Sequence, residues 1–290
     1  MKILITGGTG FIGSHLTALL EEKGHDVTLL SLESRVASNA GKTKFLSADI
    51  MDREKILNII PHFDVVYHLA GLLGTSELIT EAHRATLVNV VGTINILDGA
   101  LKNMTKVICI TKPNVWLNTY SITKEASEKF AKMYYKQFQL PTVSIKWFNV
   151  YGTRQSFHCQ KAVPYFIRWA LRNEDIQIWG NGNQTMDLIH ATDAVRATVM
   201  IGEDESFEGT TVDVGIGEET TVNELANTVM RMTESNSRIT HLLMRAGETP
   251  DTRLVADTRI LKRMGFTPEY TLEKGMRETV NWYRGHLVNE

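Results

Sequence analysis

The chain has 290 residues, 43% hydrophobic and 22% charged, the balance of a soluble globular protein, which excludes general disorder. Its 31 basic and 33 acidic residues give a net charge of -2, so no broad basic surface for nucleic acid is implied. No apolar run approaches the roughly 18 residues needed to span a membrane, and glycine enters at Gly7, too early for the apolar core of a signal peptide.

Lys2–Thr6 reads as a strand and Ile12–Lys23 as a helix. Between them lies Thr6-Gly7-Gly8-Thr9-Gly10-Phe11-Ile12-Gly13, the strongest local signal in the chain. Gly7 permits a tight turn, Gly10 removes a side chain where a pyrophosphate must approach the backbone, and Gly13 lets the helix pack close to the sheet. The pyrophosphate then lies on the first amides of the helix, around Phe11 and Ile12, at the positive end of its dipole. A strand before and a helix after make this a dinucleotide-binding turn, spaced Gly-x-x-Gly-x-x-Gly. The second strand, Asp26–Leu30, delivers Ser31 to the place where an acidic residue normally binds the adenosine ribose. Glu33 taking over that contact favours NAD; Ser31 and Arg35 holding a 2′-phosphate favours NADP. NAD is expected, with NADP left open.

Lys44–Leu46 and Val65–Leu69 are further strands, and a long helix is expected from about Ala82 to Leu101, with Val88, Val91, Ile94 and Leu101 near helical spacing. The strand Lys106–Ile110 holds Cys109 in an apolar run, where it reads as a buried thiol. With Cys159 it makes two cysteines, too few for a disulfide framework, and a reducing, cytoplasmic setting is expected. The helix Ser121–Gln137 and the strand Thr142–Trp147 follow. This alternation predicts an α/β fold, a Rossmann-like doubly wound parallel sheet covered by helices on both faces, over residues 1–150. After that the alternation weakens. Gly180-Asn181-Gly182-Asn183 is a turn-rich break, and Thr220–Met232 and Thr258–Met264 read as helices. Residues 151–290 are expected to form a smaller, partly interleaved substrate-binding domain.

Tyr120-Ser121-Ile122-Thr123-Lys124 places a tyrosine and a lysine on one face of a predicted helix start. Tyrosine is a poor base at neutral pH because its free pKa is about 10. A nearby ammonium stabilises phenolate and lowers that value. The lysine also suits a nicotinamide ribose.

With the glycine turn in place, the chain resembles the extended short-chain dehydrogenase/reductase family, in particular its nucleotide-sugar epimerases and dehydratases. Asp49-Ile50 resembles that family's step against adenine. His68-Leu69-Ala70-Gly71 resembles the segment that lines the cofactor, and Asn89-Val90-Val91-Gly92-Thr93 resembles its Asn-x-x-Gly-Thr helix. Trp147-Phe148-Asn149-Val150-Tyr151-Gly152 resembles a run whose asparagine contacts the sugar nucleotide. Trp179-Gly180-Asn181-Gly182-Asn183-Gln184-Thr185-Met186-Asp187-Leu188-Ile189-His190 resembles its substrate-domain signature. The resemblance covers nearly the whole chain and implies a nucleotide-sugar substrate.

The same resemblance implies the roles. Tyr120 as phenolate removes a hydroxyl proton, hydride passes to the nicotinamide, Lys124 holds the phenolate and the ribose, and Thr111 polarises the reacting oxygen. Only eight residues, Lys112–Thr119, separate Thr111 from Tyr120, a shorter stretch than the family uses, and Asn114 or Asn118 is an alternative to Thr111. Met186 stands where the family has a diphosphate-binding arginine. Arg253 resembles a second such arginine, with Arg154 or Lys161 as helpers. The dehydratases and decarboxylases carry acidic residues after the threonine; Lys112-Pro113 follow here. The expected activity is therefore 4-epimerisation through a transient 4-keto sugar, with 4-ketoreduction, dehydration or a non-catalytic NAD(P)-binding sensor or scaffold as alternatives. No metal ligands and no nucleic-acid or membrane partner are assigned. A homodimer is expected through the helices about Ala82–Leu101 and Ser121–Phe138, with Phe130, Met133 and Tyr134 either on that interface or packed on the protein's own sheet.

Overall fold

The computed structural model describes residues 1–32, 43–157 and 161–286. Glu33 and Arg35, the proposed ribose and phosphate ligands, and Cys159 lie outside the described residues. The chain divides into two compact units. One comprises Met1–Lys146 and Val195–Val212; the other comprises Trp147–Ala194 and Asp213–Glu290. The first stretch ends at Lys146 rather than at residue 150, and a later segment returns to the first unit.

The first unit contains β1 (Lys2–Thr6), α1 (Phe11–Glu22), β2 (Asp26–Ser31), β3 (Lys44–Ser47), α2 (Arg53–Ile59), β4 (Val65–His68), α3 (Ala82–Ala85), α4 (Gly92–Leu101), β5 (Lys106–Thr111), α5 (Thr119–Phe138) and β6 (Thr142–Trp147). Among the described residues these strands and β11 (Thr211–Val214) form a seven-stranded sheet of order β11-β6-β5-β4-β1-β2-β3. The pairs from β6 to β3 are parallel, with Ile3 opposite both Val27 and Val65, and His68 opposite Cys109. Strands buried on both faces read as unbroken apolar runs: Ile3, Leu4 and Ile5 are all fully buried. On one face Leu4, Val66, Val107, Ile96, Leu97 and Tyr134 join a single core cluster. Strand order reverses between β1 and β4, and ligands of open α/β sheets bind at such a switch point, beyond the carboxyl ends of the strands. Thr6, Ser31, His68 and Thr111 all end their strands there.

The predicted helix from Ala82 to Leu101 is continuous but not uniform. Between α3 and α4, Thr86–Val91 widens into a π-helical turn. Such bulges recur at functional sites, and here the turn holds the buried Asn89. α2 was not anticipated; it is short and starts from Asp52, whose side chain accepts the Lys55 amide.

The second unit contains β7 (Asn149–Tyr151), α6 (Ala162–Leu171), β8 (Ile176–Trp179), β9 (Thr185–Met186), β10 (Leu188–His190), β12 (Thr220–Thr221), α8 (Val222–Thr233), β13 (Ile239–Leu242), α9 (Arg259–Arg263) and α10 (Leu272–His286). The helix α7 (Ala191–Glu203) begins in this unit and runs on into the first. The strands pair two by two, β7 with β10, β8 with β13, and β9 with β12. Phe166, Ile176, Leu225, Val229, Met276 and Tyr283 form its core. The helix predicted from Thr220 begins at Val222 because Thr221 closes a capping box: its hydroxyl accepts the Glu224 amide at 3.1 Å, and Glu224 Oε2 accepts the Thr221 amide at 2.7 Å. No described helix is long and apolar enough to cross a membrane.

Candidate active site

The glycine turn is dictated by crowding. Gly7 has φ +70, and a Cβ there would lie 2.9 Å from the Ala70 amide nitrogen. A Cβ on Gly13 would lie 2.6 Å from the Gly7 carbonyl oxygen, so any side chain would push α1 off the turn. Gly8, which the spacing argument did not use, meets side chains instead, with Leu29 Cδ2 2.5 Å from its virtual Cβ. Gly10 is different: only the Gly7 carbonyl is near, at 3.2 Å. Gly10 is the N-cap of α1, has no side chain to cap it, and no acidic residue stands in the first turn. The first-turn amides of a helix have no partner within it. Those of Phe11, Ile12 and Gly13 therefore present donors and a positive dipole end with no acidic side chain in the first turn to answer them, which fits a pyrophosphate.

Around this turn the strand ends are tied by a buried chain of hydrogen bonds. The Thr93 hydroxyl donates to Asn89 O at 2.6 Å, so its oxygen accepts from His68 Nε2 at 3.0 Å. His68 Nδ1 then accepts the Thr6 hydroxyl at 2.8 Å, and Thr6 Oγ1 accepts the Ala70 amide at 3.1 Å. The tautomer follows from this network. Burial, helped by the Lys124 ammonium, pushes the His68 imidazole down to about 3, so it is a neutral connector. Leu69, Ala70 and Gly71 are thereby fixed beside Gly7. Ser31 Oγ lies 3.4 Å from Thr9 Oγ1 at the end of β2. Asp49 is half-buried and accepts the Met51 amide at 2.9 Å, and Ile50 is buried against Gly92.

α5 begins at a side-chain cap. Asn118 Oδ1 accepts the Ser121 amide at 2.9 Å, so Asn118, one of the alternatives to Thr111, is an N-cap. Tyr120 and Lys124 follow on the first turns, both half-buried. Burial pushes the Tyr120 phenol up to about 12, and pushes the Lys124 ammonium down to about 8 against a smaller opposing pull from Cys109. The expected lowering of the phenol by Lys124 is not found: burial alone accounts for its rise, and burial disfavours both charged forms. Cys109 is buried, its thiol raised to about 12 by burial. Thr111 is the last residue of β5, 4% exposed, and its Oγ1 has no hydrogen-bond partner among the described residues. Asn114 Oδ1 is likewise buried without a partner. Asn89 directs its side chain inward: Oδ1 accepts the Leu72 amide at 2.7 Å, while Nδ2 donates to Leu72 O and Thr123 Oγ1, each at 3.0 Å. It ties the segment after Gly71 to the helix carrying Tyr120.

In the second unit Asn149 opens β7, half-buried, its amide bonded to Asp187 O at 2.9 Å. Arg154 is exposed, with a left-handed φ of 67. Lys161 is the N-cap residue of α6. Arg253 is 74% exposed, and Glu219 binds both its Nε, at 2.8 Å, and its NH2 group. Hydrogen bonds from Arg253 and then Thr185 hold the Glu219 carboxyl down to about 2. Met186 is partly buried against the unit's core, a place suited to a thioether and not to a guanidinium. Asp187, beside it, is fully buried and accepts the amides of Ile216, Gly217 and Ala256 at 2.8, 2.8 and 3.0 Å.

The model of the NAD dependent epimerase/dehydratase family matches residues 3–112 and 109–215. The chain belongs to that family. It is 31% identical to the UDP-N-acetyl-alpha-D-glucosaminuronate decarboxylase of Bacillus cytotoxicus, over 98% of each chain. It is 29% identical to a putative UDP-glucose 4-epimerase of Methanocaldococcus jannaschii, over 98% of this chain and 99% of that one. The solved UDP-glucose 4-epimerase of Thermotoga maritima, with UDP-glucose, shares the fold at a TM-score of 0.92 and 26% identity, covering 99% of this chain and 100% of that one. Membership of this NAD dependent epimerase/dehydratase family makes NAD the cofactor, and the uncapped amides of α1 fit its pyrophosphate.

Proposed function

We propose that the protein is a nucleotide-sugar 4-epimerase. The observation that carries this reading is the pairing of Tyr120 and Lys124 on one face of the first turns of α5, in the unit whose glycine turn suits NAD. Bound NAD supplies a reversible hydride acceptor and donor. Tyr120 as phenolate would take the proton of the sugar 4-hydroxyl. The Lys124 ammonium balances the phenolate charge. The Thr111 hydroxyl, buried and without a partner among the described residues, suits a hydrogen bond to the reacting oxygen. Once the sugar presents its other face, Tyr120 would give the proton back to the same oxygen. No net oxidation results.

Phe11, Ile12 and Gly13, with Gly7 and Gly10, are assigned to the pyrophosphate. Ser31, Asp49 and Ile50 are assigned to the adenosine, and Leu69, Ala70 and Gly71 to the wall beside the cofactor. Asn89 serves through Leu72 and Thr123. In the second unit Asn149 and Arg253 are assigned to the nucleotide sugar, with Arg154 as helper. Lys112–Thr119 contains no carboxylate, so the extra acid and base that C5–C6 dehydration needs are missing from that stretch. This favours epimerisation over dehydration. Incubating the holoenzyme with UDP-, GDP- and dTDP-sugars and following anomeric NMR signals tests the reading. The expected result is a two-way approach to one epimer mixture without added NAD. Loss of water or carbon dioxide, or no conversion with any sugar despite tight NAD binding, sinks it.

The homodimer belongs to the same reading, with a changed surface. Tyr134 packs into its own core and its hydroxyl donates to Asp98, and Phe130 packs against the same cluster. Leu87, Val91, Ile122, Met133 and Phe138 are the exposed large apolar residues on these helices among the described residues. Sedimentation at micromolar concentration is expected to give twice the chain mass, and Val91→Glu to halve it; a wild-type monomer refutes the assignment.

A further inference from the structure

Six polar side chains run through the interior of the first unit, Thr6, His68, Thr93, Asn89, Ser127 and Thr123, each at most 4% exposed. Their hydrogen bonds join end to end. Thr6 bonds His68, His68 bonds the Thr93 hydroxyl, and that hydroxyl donates to Asn89 O in the π-helical turn. Asn89 O also accepts the Ser127 hydroxyl from α5 at 2.7 Å, and Ser127 Oγ lies 2.9 Å from Thr123 O. Asn89 Nδ2 donates to Thr123 Oγ1 at 3.0 Å, and Thr123 Oγ1 donates to Tyr120 O at 3.1 Å. The chain of bonds therefore starts one residue before Gly7 and ends on the backbone of the turn that carries Tyr120 and Lys124.

Buried polar groups are costly, and apolar side chains would fill the same space without the need for partners. Apolar cores that are merely filled lose uniqueness and rigidity before they lose stability. A fully satisfied polar chain rigidifies its surroundings and specifies one arrangement. Thr93 is the joint in this one. Its Oγ1 accepts from His68 on β4 and donates to the carbonyl that α5 grips through Ser127. Without that hydroxyl His68 Nε2 loses its acceptor, and this chain no longer ties β4 to α5. We propose that Thr93 is a positioning residue: it sets the place of the Tyr120 turn relative to the ends of β1 and β4, beside the glycine turn. Thr93 is 2% exposed, so it acts through α5 and not by contact with a ligand. The proposal rests on the reading of Tyr120 as the base.

The test compares Thr93→Val, which keeps the shape and removes the hydroxyl, with Thr93→Ser, which keeps the hydroxyl. Both are made in the full chain with NAD bound. The readouts are kcat and KM for the UDP-, GDP- or dTDP-sugar converted in the NMR assay, the melting temperature, and hydrogen exchange of the segment 119–124. Thr93→Val is expected to lower kcat by roughly ten- to hundredfold, the scale of a small misplacement, with little change in KM. It is also expected to speed exchange in that segment, and Thr93→Ser to restore both. Ser127→Ala is expected to lower kcat as well. The double variant should lose less than the product of the single losses, because both hydroxyls act on one carbonyl. A folded Thr93→Val with wild-type kcat overturns the proposal whatever its melting temperature, since a purely structural role moves the second and not the first. Single losses that multiply in full overturn it too. If Thr93→Val does not fold, Ser127→Ala decides, and an unchanged kcat there refutes it. Failure of the epimerase reading looks different: the wild type converts no sugar, while exchange in 119–124 still speeds in Thr93→Val and recovers in Thr93→Ser.

Discussion

Replacing Tyr120 by phenylalanine is expected to lower turnover by roughly 10²–10⁴-fold, the usual contribution of a positioned acid–base group, and to leave NAD bound. The substitution removes one oxygen and keeps the half-buried ring. The Asn118 cap does not involve the Tyr120 side chain, so α5 still starts where it does. The glycine turn depends on Gly7 and Gly13 and their backbone neighbours, none of which the substitution touches. Calorimetric titration with NAD, beside the NMR assay, separates the two effects. Turnover within threefold of the wild type would remove Tyr120 from the mechanism.

Asp187→Ala is expected to destabilise the second unit by about 3–5 kcal/mol, since each buried amide left without a partner costs about 1–3 kcal/mol. Three amides, those of Ile216, Gly217 and Ala256, converge on this one carboxylate. A Cβ on Gly215 would lie 2.7 Å from its Oδ2, so the chain closes tightly around it. Asp187→Asn is expected to be nearly as damaging, because its NH2 group faces amides that need acceptors. Urea denaturation checks both. A loss under 1 kcal/mol in Asp187→Ala would show that water replaces the carboxylate and that the convergence is not structural support.

Much of the first unit is legible in the sequence because its signals are local. Lys2–Thr6 and Thr142–Trp147 have the bounds expected of them, and Tyr120 and Lys124 share a helical face through spacing alone. What was hidden depends on distant partners. Spacing cannot show that burial raises the phenol, nor that Arg253 meets Glu219 across 34 positions. Tyr134 was assigned to two places because its helical face does not say which neighbour covers it. Some of the missed structure was readable. α10 carries Gly275, Met276, Thr279, Val280 and Tyr283 at helical intervals, but its many charges masked them.

The return of Val195–Val212 to the first unit bears on how the molecule is made. On a ribosome, β6 emerges long before β11, the strand that flanks it. The edge of β6 must wait, open to pairing with other chains, until some 65 further residues have been synthesised. A gene fragment ending near residue 146 would preserve that exposed border permanently. Such fragments should aggregate, and the nascent chain should be most vulnerable during that interval.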